Sequence, residues 1–217
     1  MNKGLLKTLS FVLAGPFIEI SSIWTDLRIL KIMKVLNYIQ LSPSQIKLIS
    51  DVVKKKKDCK LLVFGLGYDS IFWNRINRKG TTVFIEDNEE WLEKISRKCK
   101  KLSIHHVQYK TRRKDWEQLL GKLNEIDIPL PEQVLAEKWD VILVDAPNGD
   151  HEQAPGRMLS IFSALILVKA SGSIFVHDCN RLVEDTYANF YLKNENLIHE
   201  IKAKNGFLRH YYMKHKL

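Results

Sequence analysis

At 217 residues, with 45% hydrophobic and 27% charged side chains, the chain has ordinary globular composition, which excludes disorder and suffices for one sizeable core. Its formal net charge of +9 suits an anionic partner such as nucleic acid, a membrane surface or an acidic glycan, or equally a solvated lysine-rich surface. Cys59, Cys99 and Cys179 are too scattered for a disulfide framework and lack zinc-site spacing, so a reducing, cytoplasmic setting is expected from composition.

The N-terminal stretch MNKGLLKTLSFVLAGPFIEI places Lys3 and Lys7 before an apolar run, but Gly15-Pro16 interrupts it and Glu19 follows. A spanning helix needs about 20 apolar residues, so no transmembrane helix is expected, only an amphipathic segment with weak membrane association. SSIWTDLRILKIMKVLNYIQ spaces Ile23, Leu27, Leu30, Ile32 and Val35 as a buried helix face. SPSQIKLISDVVKKKK begins on a helix-start signal and ends in lysines, which suit a helix C-terminus. Residues 1–58 are expected to form an N-terminal helical cap, and residues 59–217 the main domain.

From Lys60 the pattern alternates between strands and helices. KLLVFGLG, TTVFIEDN, SIHHVQY, WDVILVDAP and GSIFVHD read as strands. DSIFWNRINRKG, EEWLEKISRKCK, RKDWEQLLGKLNE, PGRMLSIFSALILVK and RLVEDTYANFYL read as the helices between and after them. LIHEIKAKNGFLRHYYMK reads as a hairpin turning at Asn205-Gly206. Alternation of this kind implies an α/β fold with a mostly parallel sheet covered on both faces. The closing antiparallel hairpin points to a seven-stranded, Rossmann-like class I methyltransferase.

In such a sheet ligands sit at the carboxyl ends of the central strands. Gly65 and Gly67, between the first strand and its helix, would let a ligand approach bare backbone. A dinucleotide fingerprint would need glycine at position 70, where Ser70 stands, so a pyrophosphate cradle is disfavoured. Asp69 would repel phosphate yet could receive the cationic amino-acid end of S-adenosylmethionine. Glu86, nineteen positions after Gly67, could accept hydrogen bonds from both ribose hydroxyls of an adenosine. Its neighbour Asp87 either joins it or caps the next helix.

Asp145, His177 and Asp178, at the ends of the fourth and fifth strands, should meet at the same rim. His177 flanked by carboxylates is a candidate general base, because its pKa lies near working pH and a neutral alcohol is a poor nucleophile toward a sulfonium. Asp145, Asp178 and Asn180 could instead hold a divalent cation, and Asp178 alone could be a helix cap. His105 and His106 have no ligand partner at useful spacing, and Trp73, Trp91, Trp116 and Trp139 read as packing residues. The basic stretch YKTRRK, 109–114, falls near the rim, where it either recruits an acidic substrate or is a solvated loop.

Taken together, LLVFGLGYDSIFWNRINRKGTTVFIEDN, WDVILVDAPNGDHEQAPGRMLSIFSA and VHDCNR resemble the glucuronoxylan 4-O-methyltransferase family, a plant-type polysaccharide-biosynthesis domain. The resemblance runs from about Cys59 to Arg181. It implies an S-adenosylmethionine-dependent O-methyltransferase acting on the 4-hydroxyl of glucuronic acid in a xylan or related acidic glycan, with divalent-metal dependence in some members. It places Gly65, Gly67, Asp69 and Ser70 in the cofactor motif and Glu86 at the acidic strand end. Asp145, Arg157, His177, Asp178 and Arg181 fall at the remaining motif positions. Arg157 or Arg181 could pair with a uronate carboxylate, or could tie loops to Asp145 or Asp178. The family implies a Golgi membrane location. Tyr68 departs from its usual His, and Gln153 from its usual Glu. Two other readings are a metal-assisted small-molecule O-methyltransferase and a non-catalytic cell-wall biosynthesis protein on the same fold. No base-flipping motif of the Asn-Pro-Pro-Tyr type is present, so nucleic acid is not expected.

Overall fold

A computed structural model describes residues 39–214. The N-terminal apolar stretch, and the expected first helix up to residue 38, lie outside them.

The described chain opens with α1 (Pro43–Lys55), whose start is fixed by its own sequence. Ser42 accepts from the Gln45 amide at 3.3 Å, while Gln45 Oε1 accepts from the Ser42 amide at 2.7 Å, a reciprocal pair that satisfies two otherwise orphaned donors. Pro43 sits where a missing N–H costs nothing, and Lys54 and Lys55 lie in the last turn. The inner face of α1, with Ile46, Ile49 and Val53, packs into the same apolar cluster as the strands that follow.

Those strands are β1 (Lys60–Phe64), β2 (Thr81–Glu86) and β3 (Ser103–His106), with α2 (Ser70–Ile76) and α3 (Glu89–Ser96) between them. Next come β4 (Trp139–Val144), α6 (Met158–Leu167), β5 (Val168–Val176), α7 (Leu182–Tyr187), β6 (Leu197–Ala203) and β7 (Gly206–Met213). The short α4 (Trp116–Leu119) and α5 (Glu132–Leu135) lie between β3 and β4. The strands form one seven-stranded sheet in the order β3-β2-β1-β4-β5-β7-β6. Neighbours are parallel from β3 to β5, and β7 is antiparallel to both β5 and β6.

Side chains alternate faces along each strand, so two cores form. Leu61, Val63, Phe84, Leu143 and Phe175 pack under α1, α2 and α3. Leu62, Phe64, Ile142, Val144 and Ile174 pack under α6 and α7. Burial on both sides explains why these strands read as unbroken apolar runs.

Two expected helices differ in form. RKDWEQLLGKLNE is broken into the single turn α4 with a 3₁₀ turn on each side. Gly121 turns left-handed at φ +81°, and the Trp116 carbonyl accepts from the Tyr187 hydroxyl at 2.6 Å instead of from a continuing helix. RLVEDTYANFYL keeps its helix but widens to a π turn over Ala188–Leu192. Among the described residues no helix is long and apolar enough to cross a membrane.

Candidate active site

The chain order of the strands reverses between β1 and β4, which opens a crevice at their carboxyl ends. Backbone bonding there continues one residue past the strands. The Val107 amide bonds to Glu86 O, Gly65 to Ile85 O, Asp145 to Phe64 O, and His177 to Val144 O. This ladder sets Glu86, Gly65, Asp145 and His177 side by side along one edge.

On the β1–β2 side the groups are organised by nearby backbone. Gly65 adopts φ +120°, and a Cβ there would lie 3.2 Å from the Ala146 side chain, so the turn is closed to any other residue. The Gly67 amide donates to Ser70 Oγ at 2.9 Å, which makes Ser70 a brace of the loop. Asp69 accepts from Trp73 Nε1 at 2.9 Å, so the packing expected of Trp73 comes with a polar role that its burial hid. Burial, followed by the charge of Asp145, pushes the Asp69 carboxyl up to about 6.

Glu86 is 4% exposed and accepts three backbone N–H groups: Leu66 on one oxygen (2.6 Å), and Asp87 (3.0 Å) and Asn88 (2.8 Å) on the other. Burial nevertheless outweighs these bonds and raises its carboxyl to about 7. Glu86 thus ties the glycine turn to the end of β2. Of the two roles open to Asp87, the helix cap belongs to Asn88, whose side chain accepts from the Trp91 amide at 3.1 Å. Asp87 stays half-buried beside Glu86, its carboxyl raised by burial.

On the β4–β5 side the groups are organised by one another. His177 Nδ1 lies 2.9 Å from Asp145 Oδ1 and 3.6 Å from Asp178 Oδ1. Arg157 is 4% exposed, and its Nη2 lies 3.2 Å from Asp145 and 2.9 Å from Asp178. The same guanidinium donates to the carbonyls of Asp145 (2.7 Å), His177 (2.8 Å) and Pro147 (3.3 Å). Its donors all point inward, and of the two roles open to it in sequence, tying loops is the one its geometry serves. Arg181 differs. Its Nη2 pairs with Asp178 at 3.0 Å, but its side chain is one-third exposed at the rim.

Burial would raise the Asp145 carboxyl, but His177, by charge and hydrogen bond, holds it below the usual carboxylate range with help from Arg157 and Arg181. Asp145 also reaches solvent, with 23% of its side chain exposed. His177 has no exposed surface, and its Nε2, without a hydrogen-bond partner, faces Gly206. A Cβ at Gly206 (φ +132°) would sit 2.4 Å from Asp178 Oδ1 and 2.7 Å from His177 Nε2. The hairpin turn therefore closes the back of the centre, held there by Gln45, whose Nε2 donates to the carbonyls of Gly206 (2.9 Å) and Ile201 (3.2 Å).

Asp178 takes the left-handed conformation at φ +61°, strain of the kind tolerated where surrounding contacts fix a residue. It caps no helix with its side chain; position N-cap of α7 is Arg181. Asn180 stands apart, exposed, with its side-chain oxygen on the Phe207 amide at 3.0 Å. Among the described residues, Asp145, His177 and Asp178 are those whose ligand atoms cluster, within 4.8 Å of one another. Glu184, unnoticed in sequence, is fully buried beside this centre, 4.0 Å from Arg181 Nη1. Its spacing of three from Arg181 on α7 was the available signal.

YKTRRK is stitched to the loop before α6. The Arg113 amide donates to Ala154 O at 2.7 Å, Lys114 to Glu152 O at 3.0 Å, and Thr111 Oγ1 to Pro155 O at 3.1 Å. The basic segment therefore borders the loop that delivers Arg157.

A seven-stranded sheet of this order, with a glycine turn and an acidic β2 end at its switch point, defines the Rossmann-like class I methyltransferase fold. A Staphylococcus aureus structure described as a "putative caffeoyl-CoA O-methyltransferase" shares it, with a TM-score of 0.57 at 14% identity over 94% of this chain and 99% of that one. The family model described as IRX15/IRX15L/GXM matches residues 44–129 and 126–211, and the chain belongs to that family. Arabidopsis thaliana "Glucuronoxylan 4-O-methyltransferase 3" is 38% identical over 180 residues, 74% of this chain and 59% of the relative. "Arabinogalactan O-methyltransferase 2" from the same plant is 38% identical over 178 residues, 70% of this chain and 61% of the relative. "Protein IRREGULAR XYLEM 15" is 32% identical over 199 residues, 80% of this chain and 61% of the relative. The chain spans about three fifths of the length of these relatives.

Proposed function

We propose that this chain is an S-adenosylmethionine-dependent O-methyltransferase that methylates a hydroxyl of an acidic polysaccharide, the 4-hydroxyl of glucuronosyl residues in a xylan-type glycan. The observation that carries the reading is the single rim on which Gly65, Glu86 and Asp145 lie, in a family whose relatives are named for polysaccharide O-methylation.

The rim fits the cofactor. The Gly65 turn is bare backbone, Asp69 offers negative charge for an ammonium, and Glu86 offers a carboxylate for ribose hydroxyls. Bound there, S-adenosylmethionine supplies a methyl group activated by its sulfonium. Asp145 takes the acceptor proton, because it is the carboxylate of the centre whose side chain reaches solvent, with His177 Nδ1 hydrogen-bonded behind it. His177 works behind it: Nδ1–H holds the carboxylate in orientation, and a ring with no exposed surface touches no acceptor. The base role expected of His177 thus passes to Asp145, with His177 as its positioning residue. Arg181 reads the uronate carboxylate, being the arginine of the centre left at the rim, and the charge of +9 favours an anionic chain nearby.

The test is transfer of labelled methyl from S-adenosylmethionine to glucuronoxylan, carboxyl-reduced glucuronoxylan and arabinogalactan. Label on the 4-hydroxyl of glucuronate, with the reduced polymer a poor acceptor, is the expected result. Equal labelling of the reduced polymer would remove Arg181's role, and labelling of none of the three would remove the function.

A further inference from the structure

The Asp145–His177–Asp178 cluster, with its ligand atoms within 4.8 Å of one another, poses a specific question of metal binding. Its donor types, two carboxylates and an imidazole, are ones that a divalent cation accepts. Its electrostatics are different. Arg157 Nη2 already lies between the acids, 3.2 Å from Asp145 Oδ1 and 2.9 Å from Asp178 Oδ2. His177 Nδ1 is 2.9 Å from Asp145 Oδ1 in a hydrogen bond, so that nitrogen has no lone pair on offer to a metal. Arg181 Nη2 adds a second cation at 3.0 Å from Asp178 Oδ2. A divalent ion between these carboxylates would have to displace one guanidinium and sit beside another. The cluster does not fit a resident metal.

We propose that Arg157 is the built-in cation of this centre, resting on the same rim as the proposed methyl transfer, and that it occupies the place between the carboxylates that a divalent metal would otherwise take. It lies between the Asp145 and Asp178 carboxylates, balances the buried charge of Asp178 together with Arg181, and fixes the ends of β4 and β5 through the carbonyls of Asp145 and His177. The arrangement has a reason. An arginine stays charged at every working pH, and its planar fork serves several acceptors in fixed directions. Its anchorage at 4% exposure means that it is not exchanged with solvent. Proton removal at Asp145 then relies on hydrogen bonds and fixed charge, with no Lewis acid polarising the acceptor hydroxyl. Chelators should leave transfer intact.

The decisive measurement needs no turnover. Wild-type protein stripped by chelator is titrated with Mn²⁺ and with Co²⁺ alone, by calorimetry and by thermal unfolding. Expected are no saturable heat and a Tm unchanged to within about 1 °C at millimolar metal, since a ligand bound to the folded state would raise it. Methyl transfer, assayed in parallel, should stay within about twofold of the untreated enzyme, far from the loss that follows removal of a catalytic metal. Saturable one-to-one binding that disappears in Asp178→Asn would overturn the proposal, as would activity lost to chelator and restored by metal. Arg157→Ser supplies the converse: freed of the guanidinium, Asp145 and Asp178 should acquire saturable Mn²⁺ binding that a second change, Asp178→Asn, removes. A folded Arg157→Ser that still binds no metal would contradict the role of the guanidinium. Should that variant not fold, the wild-type titration decides alone. A wild type that binds no metal and methylates nothing would sink the proposed function while leaving this inference standing.

Discussion

The two halves of the rim hold their carboxylates in opposite ways. At the ends of β1 and β2, Glu86 is held by the amides of Leu66, Asp87 and Asn88, all within twenty residues of it. At the ends of β4 and β5, Asp145 and Asp178 are held by side chains, Arg157, His177 and Arg181, converging from different elements. Backbone donors are fixed once the strands and turns form, so the first half is robust to side-chain changes around it. The carboxylates of the second half depend on charged side chains, so removing one of those leaves buried charge less well compensated. The first half suits recognition of an unvarying cofactor, and the second suits chemistry.

The sharpest way to break this contrast is Arg157→Ala. It removes the buried one of Asp178's two guanidinium partners, leaving only the partly exposed Arg181, and should cost about 3–5 kcal/mol of stability, read by denaturant unfolding, as expected when one partner of a buried ion pair is lost. A loss below 1 kcal/mol would mean that the centre is held by something other than its guanidinium. Asp145→Asn should leave the fold intact, because the amide oxygen can still accept from His177. Methyl transfer should nonetheless fall about 10²–10³-fold with the loss of the base. Retained turnover would return that role to another group.

On the opposite half, Glu86→Ala should weaken S-adenosylmethionine binding by about 1.5–3 kcal/mol in calorimetry, by removing a charged acceptor. The pH dependence sharpens the same point. Burial raises the Glu86 carboxyl from 4.5 to about 7, so the folded protein holds this proton more tightly than the unfolded chain does. Its contribution to stability is therefore greatest at acid pH and falls as pH rises from the ordinary carboxylate range through about 7. Cofactor affinity runs the other way, because the ribose hydroxyls need the ionised form: it should rise as pH passes about 7, and Glu86→Gln should remove that rise, leaving only the smaller part that Asp69 titrates near 6. A flat wild-type profile between pH 6 and 8, both about one unit from that value, would show that the carboxylate does not meet the cofactor.

The smallest effect concerns the brace behind the site. Ser42→Ala removes one side of the α1 cap and should cost about 1 kcal/mol in unfolding, with methyl transfer unchanged. Gln45→Ala removes the opposite bond of the capping pair, from the Ser42 amide, together with the tether to Gly206, and should in addition lower turnover. Equal effects of the two on turnover would show that the hairpin needs no tether to shield His177.

Sequence by itself determined the architecture, because apolar periodicity and turn residues are local signals. β1, β2, β4, β5 and the Asn205-Gly206 hairpin all lie where their residues place them. It also determined the rim, since strand ends in a parallel sheet share one edge, and so Gly65, Glu86, Asp145 and His177 had to meet there. It misjudged the helix after β3, because the bond that breaks it, Tyr187 to Trp116, spans seventy-one residues. It left the direction of each charged side chain open for the same reason. Whether Arg157 faces a substrate or the interior depends on Asp178, twenty-one residues on, and whether His177 is a base or a brace depends on Gly206 and the Gln45 that anchors it. Burial and the partner of a charge belong to the packed chain, not to any segment of it, and only the tertiary structure decided them.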